Sequence, residues 1–396
     1  MGMKPKNFVK KLKKVKNMLT EAKNKKIIFF SRDPGAANCV IPVYKKLTNK
    51  HYIQTDLFGK DFALNKYSEA GLNSKDISQI VSPLTYDSLK EFLKNSGYTM
   101  LITGVESTDI TNRLLWKAAN ELGIKSIAII DQWLNYEMRF TFDELGKYKK
   151  DSPKIFPTFI CTIDEYAKKE MITKGLPEEK IIVTGQPYFE TVIERYAVIN
   201  KERQKEIRKN LLLEEKSHII TFVSEPIVES YADPFLFGYT EFTILDQIVR
   251  SLNSGVLNDS EQYVLIIRLH PRNNKELVNE FMKNVSLPKN VKVLVEDKLL
   301  SQELISISDI IIGMSSMFLI EASLVGKIYS SVQIGLKTED PFVLSRIGIS
   351  KTILSYDDLV LLFQNYTNNS SLKSNDRLPL IRDASDRIIK LIDKIL

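Results

Sequence analysis

The sequence predicts two Rossmann-like α/β domains that face each other across a cleft, and three observations carry that expectation. Short apolar runs rich in β-branched residues alternate with longer segments of helical period, the pattern of βα units wound around a parallel sheet. The alternation fills the first half of the chain, pauses at a charged segment of helical composition, and then starts again. The chain's 396 residues, 43% of them hydrophobic, suffice for two ordinary cores, since single domains usually run about 100–200 residues.

In the first series the predicted strands are residues 26–31, 52–58, 100–103, 126–130, 159–163 and 180–183. Helices are expected between them near 36–47, 61–70, 86–95, 108–122 and 164–174. A charged helical segment, 189–210, leads to a second series with strands at 218–223, 263–269, 291–295, 309–313, 328–333 and 351–354. Its helices fall near 239–252, 274–284, 301–306, 317–325 and 357–364. A polar stretch, 365–376, precedes an amphipathic helix at 381–395, of the kind that two-domain enzymes of this architecture lay back across the first domain. The expected division is a basic helix at 1–25, a first, acceptor domain at 26–187 and a connecting helix at 188–215. A second, nucleotide-binding domain at 216–375 and a C-terminal helix at 376–396, packed on the first domain, complete it. No repeat recurs at periods of about 20–50 residues, which excludes solenoids and propellers.

The formal charge of +7 is unevenly placed, because residues 4–26 hold ten lysines against one acid, Glu21. The rest of the chain has 46 basic against 48 acidic side chains, so no basic body exists to track a phosphate backbone, and nucleic-acid binding is not expected. Within the arm Phe8, Leu12, Val15 and Leu19 fall on one helical face among the lysines. Residues 4–20 then read either as a peripheral contact with an anionic membrane, each lysine contributing about 1 kcal/mol, or as an arm packed on protein. No apolar run approaches the roughly 18–20 residues of a membrane span, so the expected location is cytoplasmic, at most peripheral on the inner face of the cell membrane. Cys39 and Cys161 lie in apolar surroundings without CxxC or metal-ligand spacing and read as small buried hydrophobes.

In open α/β sheets ligands gather beyond the carboxyl ends of the strands, so the turns after each strand are the informative ones. The first is Ser31-Arg32-Asp33-Pro34-Gly35-Ala36-Ala37-Asn38, where Gly35, two alanines and Asn38 at a helix start let a ligand approach the backbone. It lacks both GxGxxG and GxxxxGK[ST], and Ser31 or Asp33 reads equally well as a helix cap. Glu106 and Asp131 end later strands. Asp33, Glu106 and Asp131 are the candidates for a general base, with Asp33 first among them. Gly185-Gln186-Pro187 closes the series as a turn, with Gln186 placed to line the cleft.

The second series ends its strands in Ser224-Glu225-Pro226, in Arg268-Leu269-His270-Pro271-Arg272, and in Gly313-Met314-Ser315-Ser316 before a helix carrying Glu321. His270, with Pro271 fixing the turn and Arg268 and Arg272 beside it, suits an electropositive phosphate pocket. Ser315 and Ser316 bring hydroxyls and free amides to a helix N-terminus, and Glu321 lies about one and a half turns further on, placed to accept from ribose hydroxyls. Taken singly, these residues read as a cap, a surface acid and a hydrogen-bonded turn histidine.

Residues 308–322, together with Leu269-His270-Pro271-Arg272, resemble the HP and SS motifs of GT-B glycosyltransferases. The nearest likeness is to bacterial CMP-sugar-dependent sialyltransferases and polysialyltransferases, and a more distant one is to the CDP-glycerol transferases of teichoic-acid synthesis. Residues 221–227 resemble the start of their donor domain, and Gly185-Gln186-Pro187 resembles the domain junction of many GT-B enzymes. The similarity covers 221–333, and the first domain by architecture alone. It implies a GT-B fold in which His270 and the two serines bind donor phosphate, with no metal and no other cofactor. The implied activity is that of a metal-independent inverting transferase. It would move a sugar from a CMP-sugar, or a polyol phosphate from a CDP-polyol, onto a glycan or lipid-linked glycan in capsule or other surface-polysaccharide or glycolipid synthesis. The acidic Asp/Glu-Asp/Glu-Gly motif that supplies the base in the sialyltransferases has no match here, so the base stays open among the three carboxyls. Two other classes share the fold. UDP-N-acetylglucosamine 2-epimerases and related nucleotide-sugar hydrolases usually carry Ser-Gly-Gly where this chain has Ser315-Ser316-Met317, and they rely on more acid/base groups than three histidines suggest. A glycan-binding protein without catalysis is the third class.

Overall fold

The computed structural model describes residues 25–50, 53–142, 149, 151–368 and 377–396. The basic helix expected at 4–20 and residues 369–376 of the polar stretch lie outside the described residues. The chain forms two compact units, Met1–Thr191 with Ile381–Leu396, and Val192–Leu380.

The first unit is built on a parallel sheet of β1 (Lys26–Ser31), β2 (Gln54–Gly59), β3 (Lys75–Asp76), β4 (Met100–Thr103), β5 (Lys125–Ile129), β6 (Phe159–Thr162) and β7 (Ile181–Val183). Their order is β3-β2-β1-β4-β5-β6-β7, so the winding reverses between β1 and β4. These two central strands are buried on both faces, which is why Ile27–Phe30 and Met100–Ile102 are unbroken apolar runs rather than alternating ones. The helix Pro34–Thr48 starts against the end of β4: a methyl group on Gly104 would overlap the Ala36 Cβ and lie 2.9 Å from its Cα. The C-terminal helix Ala384–Ile395 packs on Pro34–Thr48, with Ile388, Ile389 and Ile392 joining Val40, Val43 and Leu47 in one core. Its outer edge carries Lys46–Asp386 and Lys50–Asp393 ion pairs at 2.7 and 2.6 Å. Gly185 permits this docking, since its φ is +89° and a side chain there would come 2.7 Å from the Ile381 carbonyl oxygen.

The second unit repeats the plan with β8 (His218–Val223), β9 (Tyr263–Arg268), β10 (Val291–Glu296), β11 (Ile310–Gly313) and β12 (Tyr329–Ser331) in the order β10-β9-β8-β11-β12. Here the winding reverses between β8 and β11. Ile220, Phe222, Leu265, Ile267, Ile310 and Ile312 form one core with Ile244 and Ile248 of the helix Glu241–Leu252 and with Leu359 and Phe363 of Tyr356–Thr367.

Two expectations need correction, and four short elements were not anticipated. Residues 189–210 are two helices, Pro187–Ala197 and Lys201–Asn210, because Asn200 accepts from the Arg203 amide at 2.9 Å and starts a new one. Residues 351–354 are not a strand; they touch the sheet through the single bridge Val332–Ile353. The two-residue edge strand β3 and the single-turn helices Ile77–Ile80, Ile227–Ser230 and Val343–Arg346 are too short for periodicity to register. Among the described residues no helix is long and apolar enough to cross a membrane.

Candidate functional site

In the first unit, β1, β4 and β5 are neighbours, and the turns that follow them bring Asp33, Glu106 and Asp131 to one sheet edge at the reversal of winding. Asp33 stands at the N-cap position of Pro34–Thr48, yet its side chain caps nothing. Its Oδ1 accepts from Arg32 Nη1 at 2.9 Å. Ser31 is no cap either, for its hydroxyl shares a 2.5 Å hydrogen bond with Tyr67. Glu106 is 1% exposed; Oε1 accepts from the Arg32 amide at 2.9 Å, while Oε2 is buried without a partner. Asp131 accepts at Oδ1 from Arg139 Nη1 at 2.6 Å, and the buried Arg139 also donates to the Val105 carbonyl at 2.9 Å. A methyl group on Gly35 would overlap the Asp131 carboxylate, so the glycine is what admits it to the helix start. Gln186 Nε2 donates to the Asp131 carbonyl at 3.3 Å, and Asn38 is half-buried a turn into the helix.

Burial, reinforced by the Asp33 charge, pushes the Glu106 carboxyl up to about 8, so Glu106 keeps its proton at neutral pH. Burial raises Asp33 as well, with Arg32 opposing it and Asp131 reinforcing it. A proton-bearing acid beside a carboxylate paired with arginine is the combination that acid/base chemistry requires.

In the second unit the reversal between β8 and β11 puts the turn at Ser224-Glu225 beside that at Ser315-Ser316. Glu225 accepts from the Ser315 amide at 2.6 Å through Oε1 and from the Ser315 hydroxyl at 2.8 Å through Oε2. Burial raises the Glu225 carboxyl, and the Ser315 bonds oppose it. Ser316 caps the helix Met317–Leu324, its Oγ accepting from the Phe318 amide at 3.2 Å. The two serines are therefore not equivalent: Ser315 is committed to Glu225, whereas the Ser316 hydroxyl keeps its proton to donate. Ser224 is buried and its hydroxyl has no partner.

His270 follows β9, on the other side of β8. Its Nδ1 accepts from the Arg272 amide at 3.1 Å, so the neutral ring carries its proton on Nε2. Burial, aided by Arg272, pushes the ring down to about 4, which keeps it neutral and its Nε2–H a donor at physiological pH. Pro271 and Arg272 are exposed on the same turn. Arg268 lies 3.7 Å from Glu296, with its Nη1 buried and free of hydrogen bonds. Glu321, 7% exposed, accepts from Gln302 Nε2 at 3.0 Å and adds to the negative field at Arg268. Sequence reasoning missed Arg32, Arg139 and Gln302 as partners of the candidate acids. Arg32 lies in the turn after β1, whereas Arg139 sits in the three-residue 3-10 helix Met138–Phe140, too short for a period to betray it.

No protein-family model matches the chain, and no curated protein matches it. Solved structures do. The UDP-GlcNAc 2-epimerase of Neisseria meningitidis, bound to UDP-GlcNAc, superposes with a TM-score of 0.66 at 17% identity over 93% of this chain and 100% of its own. The UDP-GlcNAc 2-epimerase of Methanocaldococcus jannaschii gives 0.65 at 13% identity over 93% and 99%. A glycosyltransferase of Rickettsia africae gives 0.52 at 13% identity over 94% and 98%. At such identities the likeness is one of fold, and with two parallel-sheet units in succession the chain has the two-domain α/β fold of the GT-B and epimerase type.

Proposed function

We propose that this protein is an enzyme acting on a nucleotide-activated sugar, with the nucleotide's phosphates held at the second unit's sheet edge. The observation that carries the reading is His270, a half-buried neutral imidazole whose Nε2–H is left to donate, two strands from the free hydroxyl of Ser316. A phosphate meeting both receives oriented donors without a cation to neutralise first. The donor is a pyrimidine nucleotide: CMP or CDP by the motif resemblance, UDP by neighbours whose structures contain UDP-GlcNAc or UDP-glucose.

The motifs favour an inverting transfer of the sugar to a glycan or lipid-linked acceptor, with Asp33 the first candidate base and Glu106 the proton-bearing acid. No metal is assigned, so added chelator should leave turnover unchanged. A second reading, epimerisation of the UDP-GlcNAc 2-epimerase kind, is favoured by one observation: three carboxyls, one of them protonated, share the first unit's edge. That cluster meets the need for acid/base groups that the histidine count left unmet.

A panel of CMP, CDP, UDP and GDP read by thermal shift tests the shared claim, since a ligand at 100 times its Kd stabilises by about 2.7 kcal/mol. No shift with any nucleotide would remove the reading. Incubation with CMP-, CDP- and UDP-sugars then separates the two chemistries, for transfer requires an acceptor and epimerisation none. The lysine-rich face of residues 4–20 is proposed to bring the enzyme to anionic membrane where a lipid-linked acceptor lies. Deleting it should abolish liposome sedimentation and leave nucleotide binding intact.

A further inference from the structure

The segment after β8 ties the turns of both proposed phosphate contacts together and ends on an exposed aromatic ring. At its start Glu225 holds the amide and the hydroxyl of Ser315. Further on, Glu229 Oε1 accepts at 2.8 Å from the amide of Asn274, on the turn that carries His270. Tyr231 follows, 40% exposed. Burial, reinforced by Glu225 and opposed by Arg272, raises its phenol, so the hydroxyl lies in the fields of both turns and keeps its proton. The ring is braced. Tyr231 and Phe237 meet edge to face, with centroids 5.1 Å apart and planes at 86°, and Phe237 stacks on the buried Tyr239 at 6.1 Å. The Phe237 carbonyl accepts from the Lys337 amide at 2.9 Å, and the Tyr239 hydroxyl donates to Gln333 Oε1 at 3.1 Å. An edge-to-face contact covers at most one face of Tyr231, which leaves an oriented ring with a face open.

The side of the sheet on which this ring stands tells what it meets. Right-handed crossovers put the helices Glu241–Leu252 and Lys275–Lys283 on one face of the second sheet, and Ser301–Ile307 and Met317–Leu324 on the other. Glu321 and its partner Gln302 belong to the latter pair. Tyr231 leads into the former, and Phe237 and Tyr239 belong to the core of Glu241–Leu252. A nucleotide with its ribose toward Glu321 and its phosphates along the edge at Ser316 and His270 sends the group beyond the phosphates away from Glu321, to the side of Tyr231. That group is the sugar. A pyranose presents a face of weakly positive C–H bonds, which suits the negative face of an aromatic ring. We propose that Tyr231 is a specificity-determining residue whose open ring face takes the apolar face of the donor's sugar. The inference rests on the reading of this edge as a nucleotide-sugar site, and it names the contact that distinguishes a sugar-bearing donor from the bare nucleotide.

Calorimetry on the full chain compares each nucleotide with its sugar-bearing form, UDP with UDP-N-acetylglucosamine and CMP with CMP-sialic acid. In the pair that the wild-type protein binds, Tyr231→Leu should weaken the sugar-bearing form by roughly 5–10-fold, the worth of an aromatic stack, and the bare nucleotide by less than about twofold. Tyr231→Phe keeps the ring and should bind both forms as the wild type does. Phe235→Ala, at an exposed position on the same loop, should match the wild type as well. Equal losses for both forms in Tyr231→Leu, or no loss for either, would overturn the proposal. So would a Tyr231→Phe variant as weak as Tyr231→Leu, which would show that the hydroxyl makes the contact, or a Phe235→Ala variant as weak, which would make the effect one of the loop. A wild-type protein that binds none of these compounds sinks the functional reading, and this inference with it.

Discussion

The two sheet edges are built alike and charged differently. In each unit the decisive turns flank the point where the winding reverses, β1 beside β4 in one and β8 beside β11 in the other. The first edge gathers three carboxyls against two arginines and leaves one carboxyl, Glu106, protonated. The second gathers an imidazole, arginines and a helix start, with a single carboxylate, Glu225, directly engaging Ser315. Desolvation does opposite things at the two. It keeps a proton on an acid in the first and keeps one off a base in the second, and both outcomes yield neutral, directed donors. On the proposed reading, one fold makes a proton-handling edge or an anion-binding edge by the choice of a few post-strand residues.

The largest expected effect tests the anion-binding edge. His270→Ala removes the Nε2–H donor and should cost about 2–4 kcal/mol in turnover, the loss seen when one preorganised donor is deleted. Steady-state kinetics with the donor identified by thermal shift would show it, and turnover within a few-fold of wild type would break the comparison. Asp33→Asn tests the proton-handling edge. It should lower turnover about 100-fold with donor affinity little changed, as when a positioned base is lost. If that variant turns over normally, the base is Asp131 or Glu106.

Much of this geometry was legible because parallel strands buried on both faces announce themselves as apolar runs, and the turns after them must share an edge. That reasoning located Asp33, Glu106 and Asp131 in the first unit and His270, Glu225 and Ser315 in the second. Pairings that depend on strand order were not legible. Glu225 meets Ser315, 90 residues away, only because β8 lies beside β11. The arginine that holds Asp131 comes from a single 3-10 turn, and Asn273 reaches Glu241, 32 residues earlier, from the turn after β9. Local pattern carries no information about such meetings.

A smaller effect sharpens the contrast in protonation. Glu106 is raised from its ordinary 4.5 to about 8, so the folded state binds more protons than the unfolded one between those values. Its contribution to stability is complete below pH 4.5 and is lost as pH rises through about 8. Glu106→Gln, which never ionises, should therefore raise the melting temperature relative to wild type at pH 8 by roughly 3–6 °C, with no gain at pH 4.5. An equal shift at both pH values would mean that the gain comes from packing.

The smallest effect separates the two serines of the anion-binding edge. Ser315 gives both its amide and its hydroxyl to Glu225, so Ser315→Ala leaves a buried carboxylate oxygen short of a donor, a loss of about 1–3 kcal/mol in stability. Its hydroxyl is not available to a phosphate, and nucleotide affinity should stay within about twofold once the protein is folded. Ser316 differs, for its oxygen accepts a long 3.2 Å cap bond while its proton is uncommitted. Ser316→Ala should weaken the nucleotide by roughly 3–5-fold, the value of one ordinary hydrogen bond when the helix amides remain. It should also lose part of a cap, about 0.5–1 kcal/mol. Titration calorimetry on both variants with the same nucleotide gives the ranking. A larger affinity loss at Ser315 than at Ser316 would show that Glu225 releases its serine when the ligand arrives, and the division of labour between the two hydroxyls would have to be reversed.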